Sequence, residues 1–381
     1  MFATAAGHTA CLVRNRHILA IQDTTTLRDD GDQRSTVLHP TIAVDADQGS
    51  LLGLVHAEVL RREGGRRAER KRLAFTEKES HRWLRGTEAA ASLLEAGART
   101  VTVIADREGD VYEEFAIRPA GVELLIRAGQ DRRIDSGGSL FAAAAAAPVL
   151  GTTTVALPAA PGRRKREAKL VLRAREVTIT CPNRPLAHKQ ALPARVTLTV
   201  IEACEIDPPD GVEPAHWRLL STEKVSSLAD AERLVGFYRQ RWTIEQLFRT
   251  CKTKGFDIEA VRIEDPHAFA NLAAATLIAA IRVMQLVHER DGGTGRPLHD
   301  AFDPADAPVF NALNAKLEGA TARQKNPHPP ATLAHAAWVI ARLGGWTIYY
   351  GKPGPVVMLH GLIQFEAIRQ GWNLQRNVRI R

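Results

Sequence analysis

Two short apolar segments that each run into an aspartate constrain the fold of this chain more than any other feature. HILAIQ is followed by Asp23, and TVTVIA is followed by Asp106. Apolar runs of this length, rich in β-branched residues, predict buried strands. Taken singly, an aspartate after a strand is more often a turn or cap residue. On two neighbouring strands of one sheet, however, both carboxylates would lie at the same edge, where they can bind cations.

The elements around these strands predict an α/β domain. TIAVDAD and LLGLVHAEVL form a predicted antiparallel hairpin through the turn DQGS. A helix is predicted from Thr76, which forms a capping box with Glu79, to Gly97. A helix in VYEEFAIR and a strand in VELLIRAG come after Asp106. The resulting order, β-β-β-α-β-α-β and then α, is that of a ribonuclease H-like core.

Four parts of the chain differ in pattern. We expect residues 1–138 to form the first part of the core and residues 139–215 to form an all-β insertion. Residues 216–290 are expected to complete the core, and residues 291–381 to form a helical carboxyl-terminal region that contributes to dimerisation. One long helix is predicted from about Ser227 to Lys254.

Composition and charge favour a soluble protein that binds a polyanion. Hydrophobic residues make up 45% and charged residues 25% of the 381 residues, and the net charge is +8. The longest apolar run, residues 272–281, is shorter than the roughly 20 residues of a membrane span, so we expect no membrane segment and a cytoplasmic location. The four cysteines lack CxxC spacing, which argues against a zinc ribbon. Basic residues in 61–72 and 163–166 either contact DNA or are solvated.

The predicted long helix carries four polar residues with the spacing Y-x2-R-x3-E-x6-K. They are Tyr238, Arg241, Glu245 and Lys252. Offsets of three, four and seven place them on one helical face. A carboxylate between two cations and a phenol suits a metal-bound phosphate, with Glu245 as ligand. The alternative is a solvated face with i,i+4 ion pairs. With Asp23 and Asp106, Glu245 would supply oxygen ligands for two Mg2+ or Mn2+ ions.

The sequence resembles the DDE transposases of the IS-four group, the Tn-five-like enzymes. The resemblance rests on IQDTT, EKESHRWL, ADREGDVYE and YRQRWTIEQLFRTCKTKG, the last of which holds the family's complete YREK signature. It implies that Asp23, Asp106 and Glu245 form the metal-binding catalytic triad. It also implies metal-dependent nicking at inverted-repeat ends, hairpin formation and opening, and strand transfer to target DNA. The partner is then DNA, and the enzyme is expected to be nucleoid-associated when bound to it.

The same resemblance implies further roles near the triad. Tyr238, Arg241 and Lys252 would contact phosphate, and Trp217 matches the tryptophan on which the family stacks a flipped base. An ordinary core tryptophan is the alternative. Trp242 would border the same strand. Arg107 would contact phosphate, or it would orient the acidic cluster by an ion pair.

Full-length relatives carry an amino-terminal DNA-binding domain before the first aspartate, and we expect this chain to lack it. A wrongly assigned start codon, a truncated element and a regulatory product are three open explanations. The alternative function is therefore an inactive or inhibitory fragment that binds DNA or pairs with full-length enzyme. A simple ribonuclease H-like nuclease is a third hypothesis. For the active enzyme the resemblance implies a homodimer on paired DNA ends.

Overall fold

The computed structural model describes residues 1–31, 34–62, 73, 75–157, 165–182 and 192–378. The strands of these residues form one ten-stranded mixed sheet, so the predicted α/β class is confirmed. The strands are β1 (His17–Gln22), β2 (Thr25–Gly31), β3 (Arg34–Asp45), β4 (Leu51–Arg62), β5 (Thr100–Ala105), β6 (Val122–Arg127), β7 (Val149–Leu157), β8 (Arg166–Thr180), β9 (Arg195–Glu205) and β10 (His216–Ser221). The α-helices are α1 (Phe2–Ala10), α2 (His81–Glu95), α3 (Tyr112–Ala116), α4 (Leu140–Ala145), α5 (Leu228–Gln240), α6 (Trp242–Lys252), α7 (Pro266–Glu289), α8 (Ala307–Leu317), α9 (Leu333–Leu343) and α10 (Pro355–Val378).

The first strands form a long antiparallel arm. β1 pairs with the part of β3 from Thr41 to Asp45, and β2 pairs with the amino-terminal part of the same strand. β1 and β2 therefore follow one another along one edge of β3, separated by Asp23 and Thr24. β4 pairs along the opposite edge. The predicted hairpin corresponds to β3 and β4, whereas β2 and α1 are elements that the prediction omitted.

β1, β5 and β6 are parallel neighbours in the middle of the sheet. Ile21 of β1 is in register with Ile104 of β5. Asp23 and Asp106 each follow one of these paired residues by two positions. Because parallel strands end at the same edge of a sheet, the two aspartates meet where the sequence analysis expected them.

Residues 139–215 contain β7, β8 and β9, which continue the same sheet through β10. β10 pairs antiparallel with β6, and β9, β8 and β7 follow in that order. The prediction that this segment is all-β is wrong at its start, where α4 lies. Ser139 caps α4 by accepting a hydrogen bond from the Ala142 amide, and the alanine run that follows has high helix propensity. The division of the chain at residues 138, 215 and 290 stays a prediction.

Helices cover both faces of the sheet. Ile18 and Ala20 of β1 pack into the core under α2 and α3, whereas Leu19 and Ile21 pack into the core under α5, α6 and α7. A strand buried on both faces reads as a continuous apolar run, which explains the pattern of HILAIQ. The central strands are thereby held between two helical layers.

The long helix predicted from Ser227 to Lys254 is two helices, so the prediction of one continuous helix is wrong. Ser227 and Asp230 form a reciprocal capping box that begins α5. α5 ends and α6 begins at Arg241, whose amide donates to the Tyr238 carbonyl three residues back. This tighter spacing interrupts the helical pattern at the residue whose side chain reaches the aspartates.

The carboxyl-terminal helices form a third apolar cluster. α8, α9 and α10 pack around Phe310 and Phe365, whose rings stack with centroids 4.3 Å apart. Among the described residues, α7 is the one helix long and apolar enough to cross a membrane, and 56% of its most apolar window is buried inside the protein. It packs against β4, α6, α9 and α10 and is a core helix of this fold.

Parts of the two basic segments lie outside the described residues. This applies to residues 63–72 and to residues 158–164, which include Arg163 and Arg164. Arg166 is described and forms an ion pair with Glu205. Its contact is therefore with the protein's own carboxylate.

Candidate active site

Asp23 lies at the interruption between β1 and β2. Its amide donates to the Pro40 carbonyl of β3 at 3.4 Å, and its Oδ1 accepts a hydrogen bond from the Thr24 amide at 2.7 Å. The interruption frees the aspartate from regular strand pairing. Its side chain is only 15% exposed. The carboxylate is therefore held by the backbone close to the sheet edge.

Asp106 follows β5 and caps a short 3-10 turn, Arg107–Gly109. Its Oδ1 accepts a hydrogen bond from the Glu108 amide at 2.9 Å. The turn packs closely, because a Cβ atom on Gly109 would lie 2.5 Å from the Ala105 Cβ and 3.2 Å from the Trp83 ring. Glycine at this position lets the turn bring Asp106 to the sheet edge beside Asp23.

Glu245 lies in the first turn of α6 and is joined to Asp23 by Arg241. Arg241 Nη1 donates to Asp23 Oδ2 at 2.9 Å, and Arg241 Nη2 donates to Glu245 Oε1. The two carboxylates are thus bridged by one guanidinium. The Arg241 side chain is 14% exposed and the Glu245 side chain 30% exposed, so the bridge is partly shielded from water.

The pKa of Asp23 depends on the charges of the other two carboxylates and of Arg241. Burial and the negative charges of Asp106 and Glu245 raise the pKa of Asp23, Arg241 and the Thr24 amide oppose them, and the net result is a pKa of about 7. Burial lowers the pKa of Arg241, but Tyr238, Glu245 and Asp23 outweigh this and raise it overall. The site concentrates negative charge that a single arginine partly neutralises.

The chemistry of the donor set suits a divalent metal ion. Three carboxylates offer the hard oxygen ligands that Mg2+ and Mn2+ prefer. Within the described residues, however, no group of three or more histidine, cysteine, aspartate or glutamate side chains is gathered closely enough to hold an ion. Arg241 holds Asp23 Oδ2 and Glu245 Oε1, so a metal ion that used these two oxygens would have to displace the guanidinium.

A model of the transposase DDE domain family matches residues 4–282, which is more than half of the chain. The chain belongs to this family. The match includes Asp23, Asp106 and Glu245 and all the strands of the sheet. As a DDE transposase domain, the chain has a transposase function and acts on DNA.

The other predicted phosphate contacts of this transposase domain are spread along α5 and α6. Tyr238 is buried, and its ring centroid lies 5.8 Å from the Arg241 guanidinium carbon. Lys252 follows Glu245 by seven residues, about 10 Å along a helix, and its Nζ pairs with Glu259 Oε1 at 2.7 Å. Tyr238 therefore lies beside Arg241, whereas Lys252 forms an ion pair with Glu259.

Trp217 lies on β10 between two open cavities. One, of about 700 Å³, is also lined by Arg107, Arg127 and His216. The other, of about 470 Å³, is lined on its far side by Trp242 and Arg241. Trp217 is half-buried, and its ring centroid lies 6.2 Å from that of Tyr238. The exposed Arg107 borders the first cavity, and Trp217 and Arg127 line both cavities.

A buried polar network behind the aspartates was absent from the sequence prediction. Glu114 Oε1 accepts hydrogen bonds from Gln22 Nε2 at 2.9 Å and Thr87 Oγ1 at 2.6 Å. Gln22 Oε1 lies 3.2 Å from His39 Nε2, and His39 Nδ1 lies 2.9 Å from Thr24 Oγ1. Gln22 and Thr24 flank Asp23, so the network supports the interruption between β1 and β2.

The protonation states of this network follow from burial. Burial raises the pKa of Glu114 to about 8, although hydrogen bonds from Thr87 and Gln22 lower it. Burial lowers the pKa of His39 to about 3, so its ring is neutral. A proton on His39 Nε2 can then be donated to Gln22, while Nδ1 accepts the Thr24 hydroxyl. The adjacent glutamates in VYEEF, inside an apolar helix, were the available sequence signal for Glu114.

Proposed function

We propose that this DDE domain is a cut-and-paste DNA transposase of the IS-four or Tn-five-like group. Asp23, Asp106 and Glu245 would hold the catalytic Mg2+ or Mn2+ ions. One observation carries the proposal: the two aspartates follow adjacent parallel strands, and Arg241 contacts both Glu245 and Asp23, the latter 218 positions earlier in the sequence. An arrangement that gathers carboxylates from such distant segments at one sheet edge is typical of metal-dependent phosphoryl transfer.

Phosphoryl transfer accounts for each step of the proposed reaction. Bound divalent cations supply charge stabilisation at the attacking and leaving oxygens. Water attacks in nicking, and the freed 3′-hydroxyl attacks the opposite strand to form a hairpin. Water then opens the hairpin, and the 3′-hydroxyl finally attacks target DNA. Arg241 and the exposed Arg107 are placed beside the carboxylates, where they can hold the non-bridging oxygens of the reacting phosphate.

The surroundings of Trp217 support a role in hairpin formation. A sharply bent strand is relieved when a base leaves the stack and packs against an aromatic ring. The 700 Å³ cavity beside Trp217 is large enough for a nucleotide, and Arg107 and Arg127 supply cations for its phosphate. Trp242, at the second cavity, would border the same strand.

End cleavage tests the proposal. DNA flanking the gene, searched for paired inverted repeats, supplies labelled end duplexes for incubation with the protein and Mg2+. We expect nicks and hairpins on denaturing gels, and we expect Glu245→Gln to abolish both. Glu232→Gln, on the exposed side of α5, is the matched control and should cleave normally. Equal cleavage by Glu245→Gln and Glu232→Gln would contradict the proposed triad.

Other outcomes would identify the alternatives. Nicks without hairpins or joined products would support a simple nuclease. Binding of end DNA without cleavage, together with inhibition of a full-length relative, would support the regulatory fragment. The mass of the DNA-bound complex, measured by light scattering, tests the proposed homodimer.

A further inference from the structure

The bridge formed by Arg241 conflicts with metal binding at the same carboxylates. One nitrogen of its guanidinium is bonded to Asp23 and the other terminal nitrogen to Glu245. A divalent cation would need oxygens of the same two side chains. A metal ion bound by Asp23 and Glu245 would lie close to this guanidinium, and like charges repel each other strongly in a partly buried site. Arg241 and a metal ion therefore compete for these oxygens.

While Arg241 forms this bridge, the N–H donors that hold the carboxylates are not available to a DNA phosphate. A guanidinium that is hydrogen-bonded to two carboxylates has its charge compensated and one N–H donor of each terminal nitrogen engaged. It can clamp a phosphate fully only after leaving them. Arg241 lies at the junction of α5 and α6, the one residue between Leu228 and Lys252 that belongs to neither helix. This position allows its side chain to change partners without unwinding either helix.

We propose that Arg241 is a displaceable counter-cation that couples metal binding to DNA binding. In the metal-free protein it neutralises Asp23 and Glu245. Metal binding releases it, and the freed guanidinium then binds the DNA backbone at the same site. This inference rests on the proposed function, because it takes Asp23 and Glu245 as metal ligands.

Titration with Mn2+ alone, followed by calorimetry and by the Mn2+ electron paramagnetic resonance signal, tests the competition. Arg241→Gln should bind Mn2+ at least about tenfold more tightly than the wild type, because no guanidinium has to be displaced. Arg249→Gln is the matched control, since Arg249 is an exposed arginine on α6 and its loss changes the net charge equally. Affinities of Arg241→Gln and Arg249→Gln that are equal would overturn the inference.

Two further variants keep the result interpretable. Arg241→Lys retains the charge but cannot form the two-armed bridge, so its Mn2+ affinity should lie between those of the wild type and Arg241→Gln. It also serves if Arg241→Gln fails to fold. Asp23→Asn and Glu245→Gln should lose Mn2+ binding. If they bind Mn2+ like the wild type, the metal site of the proposed function fails, which is a different result from failure of the competition.

DNA binding tests the second half of the coupling. Fluorescence anisotropy with a labelled 30-base-pair duplex of arbitrary sequence measures the affinity with and without Ca2+. The wild type and Arg249→Gln should gain at least about threefold in affinity when Ca2+ is added, as expected for one freed arginine contact. Arg241→Gln should not show this gain. An equal gain in Arg241→Gln and the wild type would show that Arg241 does not couple the two ligands.

Discussion

Among the clusters of one arginine with two carboxylates in the described residues, those of Arg296 and Arg241 differ in exposure. Arg296 lies between Glu289 and Asp300, and all three side chains are at most 4% exposed. Arg241 lies between Asp23 and Glu245, which are 15% and 30% exposed. The comparison suggests which cluster is structural and which can exchange its partners for ligands.

Hydrogen bonding strengthens the contrast. In the Arg296 cluster, Nη1 donates to the Leu51 carbonyl at 2.9 Å, and Glu289 accepts hydrogen bonds from Ser50 and Thr294. These contacts tie α7 and the following loop to β4. Buried charges that are paired and hydrogen-bonded are costly to separate. Arg241 lines an open cavity, and Asp106 adds negative charge beside Asp23, so a ligand can replace the internal contacts of this cluster.

The largest expected effect is loss of chemistry at the exposed cluster. Asp23→Ala, Asp106→Ala and Glu245→Ala should each reduce end cleavage by about a thousandfold or more, because the carboxylates serve the reaction. DNA binding by gel shift should stay within a few fold of the wild type. A loss of binding as large as the loss of cleavage would contradict the assignment of these residues to chemistry.

Breaking the buried cluster should instead reduce stability. Arg296→Ala leaves Glu289 and Asp300 without their buried partner, and we expect a loss of about 3–5 kcal/mol in the free energy of unfolding. Urea denaturation followed by tryptophan fluorescence measures it. Arg241→Ala should cost much less, since its carboxylates retain access to water. Equal losses in the two variants would remove the distinction between the clusters.

Substitution of Trp217 tests a single step of the proposed reaction, the formation of the hairpin. Trp217→Ala should spare first-strand nicking and slow hairpin formation by about 10- to 100-fold, which corresponds to the loss of one base stack. Single-turnover gels resolve the two steps. Trp83 is the buried counterpart, and Trp83→Ala should lower the stability of the whole domain. If nicking and hairpin formation fall equally in Trp217→Ala, Trp217 is a packing residue.

The last expected effect is a dependence of stability on pH, and it concerns the network behind Asp23. The pKa of Glu114 is raised by burial to about 8 in the folded protein, above its ordinary value of 4.5. The folded state therefore keeps a proton that the unfolded state releases between these values, and stability falls as pH rises from about 4.5 to 8, by up to about 1.4 kcal/mol per pH unit. Glu114→Gln should remove this part of the slope. Urea midpoints at pH 6 and pH 8 measure it, and parallel slopes in both proteins would contradict the raised pKa.

The sequence by itself predicted those features that depend on local patterns. Buried strands before Asp23 and Asp106 follow from runs of apolar residues, and the predicted helix start near Ser227 agrees with the start of α5. The α/β class follows from the order of such elements. These predictions succeed because strand and helix periodicity acts over a few residues. The capping box predicted at Thr76 is wrong, since Phe75–Glu77 forms a 3-10 turn and the helix begins at His81.

Contacts between distant segments were decided only by the tertiary structure. The bridge from Arg241 to Asp23, the pairing of Lys252 with Glu259 and the network from Gln22 to Glu114 depend on which side chains the folded sheet and helices bring together. The interruption between α5 and α6 likewise lies at Arg241, whose side chain contacts Asp23, 218 positions earlier in the sequence. Helical spacing predicted a single face for Tyr238, Arg241, Glu245 and Lys252, but it carries no information about the partners beyond the helix. In this protein, the sequence pattern determines local hydrogen bonding and burial. Long-range packing determines which charged side chains lie together at the sheet edge.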